Sequence, residues 1–89
     1  MIRVGIVDDQ PLFVQGLCRL LEDQQELHIE CTANSGLELT TRLDQHHIDI
    51  LLMDLEMPEE DGFQLIKRLQ QDHPDVLVIV LTMHNDPAI

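Results

Sequence analysis

The stretch Ile48–Pro58, IDILLMDLEMP, constrains this chain more than any other. Ile48, Ile50, Leu51, Leu52 and Met53 form an apolar run that stops at Asp54, and a turn with Pro58 follows. A short apolar run bounded by turn chemistry predicts a strand buried on both faces. Such a strand belongs to a parallel sheet covered by helices. It delivers its last residue to the carboxyl edge, where open α/β sheets bind ligands. Asp54 is therefore a carboxylate presented at that edge. Read from this stretch alone, it is equally well a residue that merely ends a strand.

The rest of the chain repeats the pattern. Arg3–Val7 predicts a first buried strand that ends at Asp8-Asp9. Pro11 suits the first turn of a helix, where its missing N–H costs nothing, and Asp9 is the expected N-cap. Leu12, Phe13, Gly16, Leu17, Leu20 and Leu21 recur at helical spacing, and the polar run from Glu22 ends that helix. Leu27–Ala33 alternates with period two, as an edge strand with one wet face does. Ser35 caps a second helix, Gly36–His46, with Leu39 and Leu43 inward. Asp49–Met53 is the third strand. Asp61-Gly62 opens a third helix whose inward face is read as Phe63, Ile66 and Leu69, and Pro74 stops it. Val76–Leu81 is wholly apolar and reads as a second doubly covered strand, with Thr82 at its end. This β-α-β-α-β-α-β order with short connections predicts one α/β domain with a parallel sheet and right-handed crossovers.

Composition narrows the partners. Seventeen acids against 5 Lys+Arg give a formal charge of −12. Phosphate contacts need clustered Lys and Arg, so the balance argues against nucleic acid as a direct partner and against anionic membrane. Cys18 and Cys31 form neither a C-x-x-C pair nor a disulfide pattern. The N-terminus MIRVGIVDD lacks the features of a signal peptide, and no apolar run approaches a membrane span. A cytoplasmic location is the expectation. His46-His47 are adjacent, and His28, His73 and His84 fall in other elements, so the histidines are read as exposed side chains and not as metal ligands.

In a sheet ordered 2-1-3-4 the crevice falls between Asp8-Asp9 and Asp54, with Thr82 on the next strand. Three carboxylates that close repel one another unless a counter-charge is present. A hard cation such as Mg²⁺ resolves this with oxygen ligands. A free Asp54 oxygen could then act as a nucleophile toward a phosphoryl group.

The set of Asp8-Asp9, D-L-E-M-P from Asp54, Gly62, and a Thr ending an apolar strand resembles the receiver domain of two-component response regulators. The wording VDDQPLFVQGL and LTMHNDPAI is most similar to members followed by a helix-turn-helix DNA-binding output domain. The resemblance implies a flavodoxin-like, doubly wound parallel sheet of order 2-1-3-4. It implies Asp54 as phosphoacceptor, charged by a sensor histidine kinase, and Mg²⁺ as cofactor. Asp9 and Asp54 would bind the ion directly, Glu56 through its backbone carbonyl, and Asp8 through water. Thr82 would be the switch hydroxyl. Glu56 and Met83 would tune loss of the phosphoryl group to water, with the large Met83 slowing access. Such a domain is phosphorylated in its own pocket and is not an enzyme with a separate product.

The chain departs from the family at one end. The family has a fifth strand carrying a Lys and an aromatic switch residue, and here no Lys follows Lys67. The expectation is a receiver domain spanning 1–89, incomplete at its C-terminus and lacking strand 5 and helix 5. Strand 4 would then be a bare apolar edge, so the chain is expected to be oligomeric or swapped.

Three rival readings follow from the same residues. A Mg²⁺-dependent aspartyl phosphatase needs a second Asp where Glu56 stands. A calcium loop at Asp54–Gly62 needs Gly where Glu59 stands. A dimerisation or binding module without phosphoryl chemistry accounts for the missing Lys.

Overall fold

The structure is a computed structural model that describes residues 1–54 and 61–81. Its elements are β1 (Ile2–Val7), α1 (Pro11–Glu22), β2 (Leu27–Ala33), α2 (Gly36–Gln45), β3 (Ile50–Asp54), α3 (Gly62–Asp72) and β4 (Leu77–Leu81). The four strands form one parallel sheet of order β2-β1-β3-β4. The predicted order and strand directions are those observed.

Chain direction fixes which face each helix covers. The step from β1 to β2 runs one way across the sheet, and the steps β2 to β3 and β3 to β4 run the other way. Right-handed crossovers therefore put α1 on one face and α2 with α3 on the opposite face. The main core follows that division. Leu39 and Leu43 of α2 and Leu65 and Leu69 of α3 pack with Val7, Leu51 and Met53 of the sheet. No residue of α1 belongs to that cluster. Val4 and Ile6 alternate with Gly5 and Val7, so they point to the α1 side, and both are buried.

Caps fix the helix entries. Ser35 Oγ accepts from the Glu38 N–H at 3.1 Å, as expected for an N-cap. Asp61 Oδ1 accepts from the N–H groups of Phe63 and Gln64. The N-cap of α1 is Gln10, not Asp9, and its side chain makes no capping bond. Pro11 already removes one of the orphan donors there.

Two expected inward faces differ in the structure. Phe63 is 72% exposed and Leu65 takes its place beside Leu69. Asp61 caps the helix one residue before Gly62, and that start turns Leu65 and Leu69, spaced i and i+4, toward the sheet. On α1 no residue is fully buried, and Phe13, Gly16, Leu17 and Leu20 line an open apolar groove. Among the described residues β4 pairs with β3 alone, and Leu77, Ile79 and Val80 are exposed. β4 is thus an edge strand here and not the doubly covered strand that its composition alone suggested.

Candidate metal and phosphoacceptor site

Register brings the acids together. Val7 of β1 sits opposite Met53 of β3. The next residue on each strand, Asp8 and Asp54, therefore emerges at the same carboxyl edge. Asp8 donates its backbone N–H to the Ala33 carbonyl at 3.0 Å, which holds the end of β1 against β2. Asp9 follows at the rim, only partly buried.

The side chains of Asp8, Asp9 and Asp54 each offer a carboxylate oxygen, and these atoms all lie within 4.8 Å of one another. Asp8 is 2% exposed and Asp54 4% exposed. Asp8 Oδ1 accepts from the Gln10 N–H at 2.9 Å. Its other oxygen, Oδ2, is buried without a hydrogen-bond partner. Burial pushes the Asp8 carboxyl above the ordinary carboxylate value. The Gln10 N–H opposes that shift, and repulsion from Asp54 and Asp9 adds to it.

An orphaned buried carboxylate oxygen facing two more carboxylates is the environment a hard cation relieves. Oxygens on opposite sides of an octahedral Mg²⁺ lie about 4.2 Å apart. Of three ligands at most one pair can be opposite, and adjacent ones lie about 3.0 Å apart, so carboxylate oxygens within 4.8 Å of one another draw inward to share one ion. The donor set is all oxygen, which suits Mg²⁺ and disfavours softer ions.

The acids predicted to converge are the ones brought together here. Glu56, Thr82 and Met83 lie outside the described residues. Lys67 and Arg68 are exposed on α3, as expected. One grouping went unread in the sequence. His28 Nε2 lies 3.0 Å from Glu30 Oε2, and His46 Nδ1 lies 3.4 Å from Glu30 Oε1. His28 is exposed and His46 stands at the C-terminus of α2, both as expected, and the half-burial of His46 and the shared Glu30 partner are what the sequence did not show.

The response regulator receiver domain family matches residues 4–89. The chain belongs to this family. Among curated relatives, the transcriptional regulatory protein LnrK of Bacillus subtilis is 40% identical over 58 residues, covering 65% of this chain and 26% of LnrK. The transcriptional regulatory protein DegU of Brevibacillus brevis is 33% identical over 87 residues, covering 98% of this chain and 37% of DegU. The isolated REC domain of RcsB from Salmonella enterica serovar Typhimurium, solved with the phosphomimetic BeF3⁻, superposes with a TM-score of 0.88 at 32% identity. That match covers 98% of this chain and 65% of that one. The chain thus spans well under half the length of these curated relatives. Receiver domains are signalling domains, and the Asp8–Asp9–Asp54 notch sits at the carboxyl edge of this receiver's sheet. Among the described residues no helix is long and apolar enough to cross a membrane.

Proposed function

We propose that this receiver domain accepts a phosphoryl group on Asp54 from a phosphohistidine of a sensor histidine kinase. The observation that carries the reading is Asp54 itself, delivered by β3 to within 4.8 Å of Asp8 and Asp9 at the carboxyl edge. A carboxylate oxygen of Asp54 attacks phosphorus, the P–N bond breaks, and the departing imidazole nitrogen keeps the electron pair and takes a proton. Asp9 and Asp54 would hold Mg²⁺ directly, the Glu56 backbone carbonyl would add a ligand, and Asp8 would act through water. Bound there, the ion supplies positive charge to the carboxylates and to the phosphoryl oxygens. The Thr82 hydroxyl would donate to a phosphoryl oxygen and report the charge change to the surface around β4. Glu56 and Met83 would set how fast water removes the group.

The domain acts as a phosphorylated switch with no separate product. It signals to a transcriptional output domain and makes no nucleic-acid contact itself, in keeping with 17 acids against 5 basic residues. Copies associate with one another, since β4 presents an unpaired apolar edge among the described residues.

The test is incubation with acetyl phosphate and Mg²⁺, read by intact mass. The parent should gain one phosphoryl group, and Asp54→Ala should gain none. Labelling that persists in Asp54→Ala, or that fails in the parent despite Mg²⁺, would overturn the assignment.

A further inference from the structure

Among the described residues the sheet has two edges, and they are unlike. β2 carries Glu30, and the register shifts there. Val4 pairs with Ile29 and Gly5 with Cys31, so Glu30 has no pair on β1. A bulge and a charged side chain are devices that stop another strand from adding. β4 has neither. It keeps unbroken register with β3 from Leu77 to Leu81, and Leu77, Ile79 and Val80 are exposed.

The sequence of β4, LVIVL, reads the same in both directions, with Ile79 at its centre. Such a strand matches itself after a half-turn, which is what a two-fold interface requires. Backbone direction says which of its polar groups are free. The Leu77 N–H donates to the Asp49 carbonyl at 3.0 Å, so Leu77 turns its backbone groups toward β3. Ile79 and Leu81 follow with period two. Val78 and Val80 therefore turn their N–H and C=O groups to the open edge.

We propose that two copies of this chain join β4 to β4, antiparallel, about a two-fold axis at Ile79. This pairing rests on the self-association put forward above and gives it a geometry. Val78 of each copy exchanges two backbone hydrogen bonds with Val80 of the other, so every open group on those residues finds a partner. Ile79 meets its own counterpart as a non-hydrogen-bonded pair, and Leu77 meets Leu81. Charge sets the direction. Each copy carries −12, and its Asp8, Asp9 and Asp54 lie at the carboxyl edge. Parallel pairing would bring both acidic notches to one edge of the joined sheet, and antiparallel pairing sends them to opposite edges. Pairing of β4 with the β2 edge of a next copy would run on from copy to copy without closing, and the bulge and Glu30 oppose it.

Disulfide trapping reads the register. Ile79→Cys sets two cysteine Cα atoms about 4.5 Å apart, inside the range a disulfide spans. Leu77→Cys, at a more exposed position, leaves them about 14 Å apart. Under mild oxidation Ile79→Cys should form a covalent dimer. Leu77→Cys should not, nor should the parent with its free Cys18 and Cys31. Amide exchange in the parent needs no variant. At a concentration where most of the chain is dimeric, the Val78 and Val80 N–H groups should exchange about tenfold more slowly than in dilute protein. Sedimentation should end at a dimer. In a dimeric sample, equal trapping at both positions, no trapping at Ile79→Cys, or exchange at Val78 and Val80 that ignores concentration would overturn the strand pairing and leave self-association standing. A parent that stays monomeric would overturn both. Species that keep growing beyond a dimer would overturn the two-fold closure.

Discussion

Asp8 and Asp54 leave adjacent parallel strands one residue beyond the pair Val7 and Met53, and both are almost wholly withdrawn from solvent. Two carboxylates so placed destabilise the fold whenever both are ionised and no cation is bound.

Asp8→Asn removes that repulsion and turns an unpartnered buried oxygen into an amide donor. It should stabilise the protein without Mg²⁺ by about 1–2 kcal/mol, of the order of one buried unsatisfied acceptor. It should also shrink the stabilisation that Mg²⁺ gives. Chemical denaturation with and without Mg²⁺ measures both, and an Asp8→Asn variant less stable than the parent in EDTA would refute the account.

The pH dependence has a definite sign. Asp8 in the fold binds its proton more tightly than an ordinary Asp, whose value is 3.8. Its contribution is present in full below 3.8 and is lost as pH rises through the raised value. Without Mg²⁺ the advantage of Asp8→Asn over the parent should therefore grow from acidic pH toward neutrality and then level off. A constant difference across the range, followed by thermal melts, would count against it.

Gly5 is where the sheet leaves no room. A Cβ there would stand 2.9 Å from Ile48 Cδ1, 3.5 Å from Leu51 Cδ1 and 3.6 Å from Cys31 Sγ. Gly5→Ala should cost about 1–3 kcal/mol through overpacking. Adding Ile48→Val removes the colliding methyl and should recover part of the loss, although Ile48→Val alone costs about 0.5–1.5 kcal/mol. A double-mutant cycle by urea denaturation tests this, and strict additivity would show that the contact is not the cause.

Leu51 and Leu20 are the same residue type in opposite settings. Leu51 is wholly buried between α2, α3 and the sheet, and Leu20 is 70% exposed on α1. Leu51→Ala should destabilise by about 2–5 kcal/mol. Leu20→Ala should stay within about 0.5 kcal/mol. Comparable losses in the two variants would mean that α1 is covered in solution.

The β4 edge carries Leu77, Ile79 and Val80 exposed beside an unpaired ladder among the described residues. The chain should therefore self-associate with rising concentration in sedimentation velocity. Ile79→Lys places a charge on that edge, a device that blocks strand addition, and should shift the population toward monomer. A concentration-independent monomer in the parent would remove the premise.

Much of this was legible in the linear order of residues. Apolar runs halting at Asp8 and Asp54, with helical stripes between them, dictate a parallel α/β sheet and put both acids at one edge, because strand direction decides which end a side chain leaves from. Helix boundaries followed from local chemistry: Pro11 at a first turn, Ser35 and Asp61 as caps. Local chemistry also misled. Phe63 is the most apolar-looking residue at the start of α3, yet the helix phase set by Asp61 turns Leu65 inward and leaves Phe63 in water.

The set of elements, their parallel direction and the acids at the strand ends all follow from short-range periodicity and chain polarity, and so could be read residue by residue. Long-range packing set the rest: Asp8 keeps one oxygen without a partner, Gly5 must lack a side chain, and Glu30 stands beside both His28 and His46. Each of those depends on register between segments far apart in the chain, and register is settled by how whole faces pack, which no single stretch of sequence encodes.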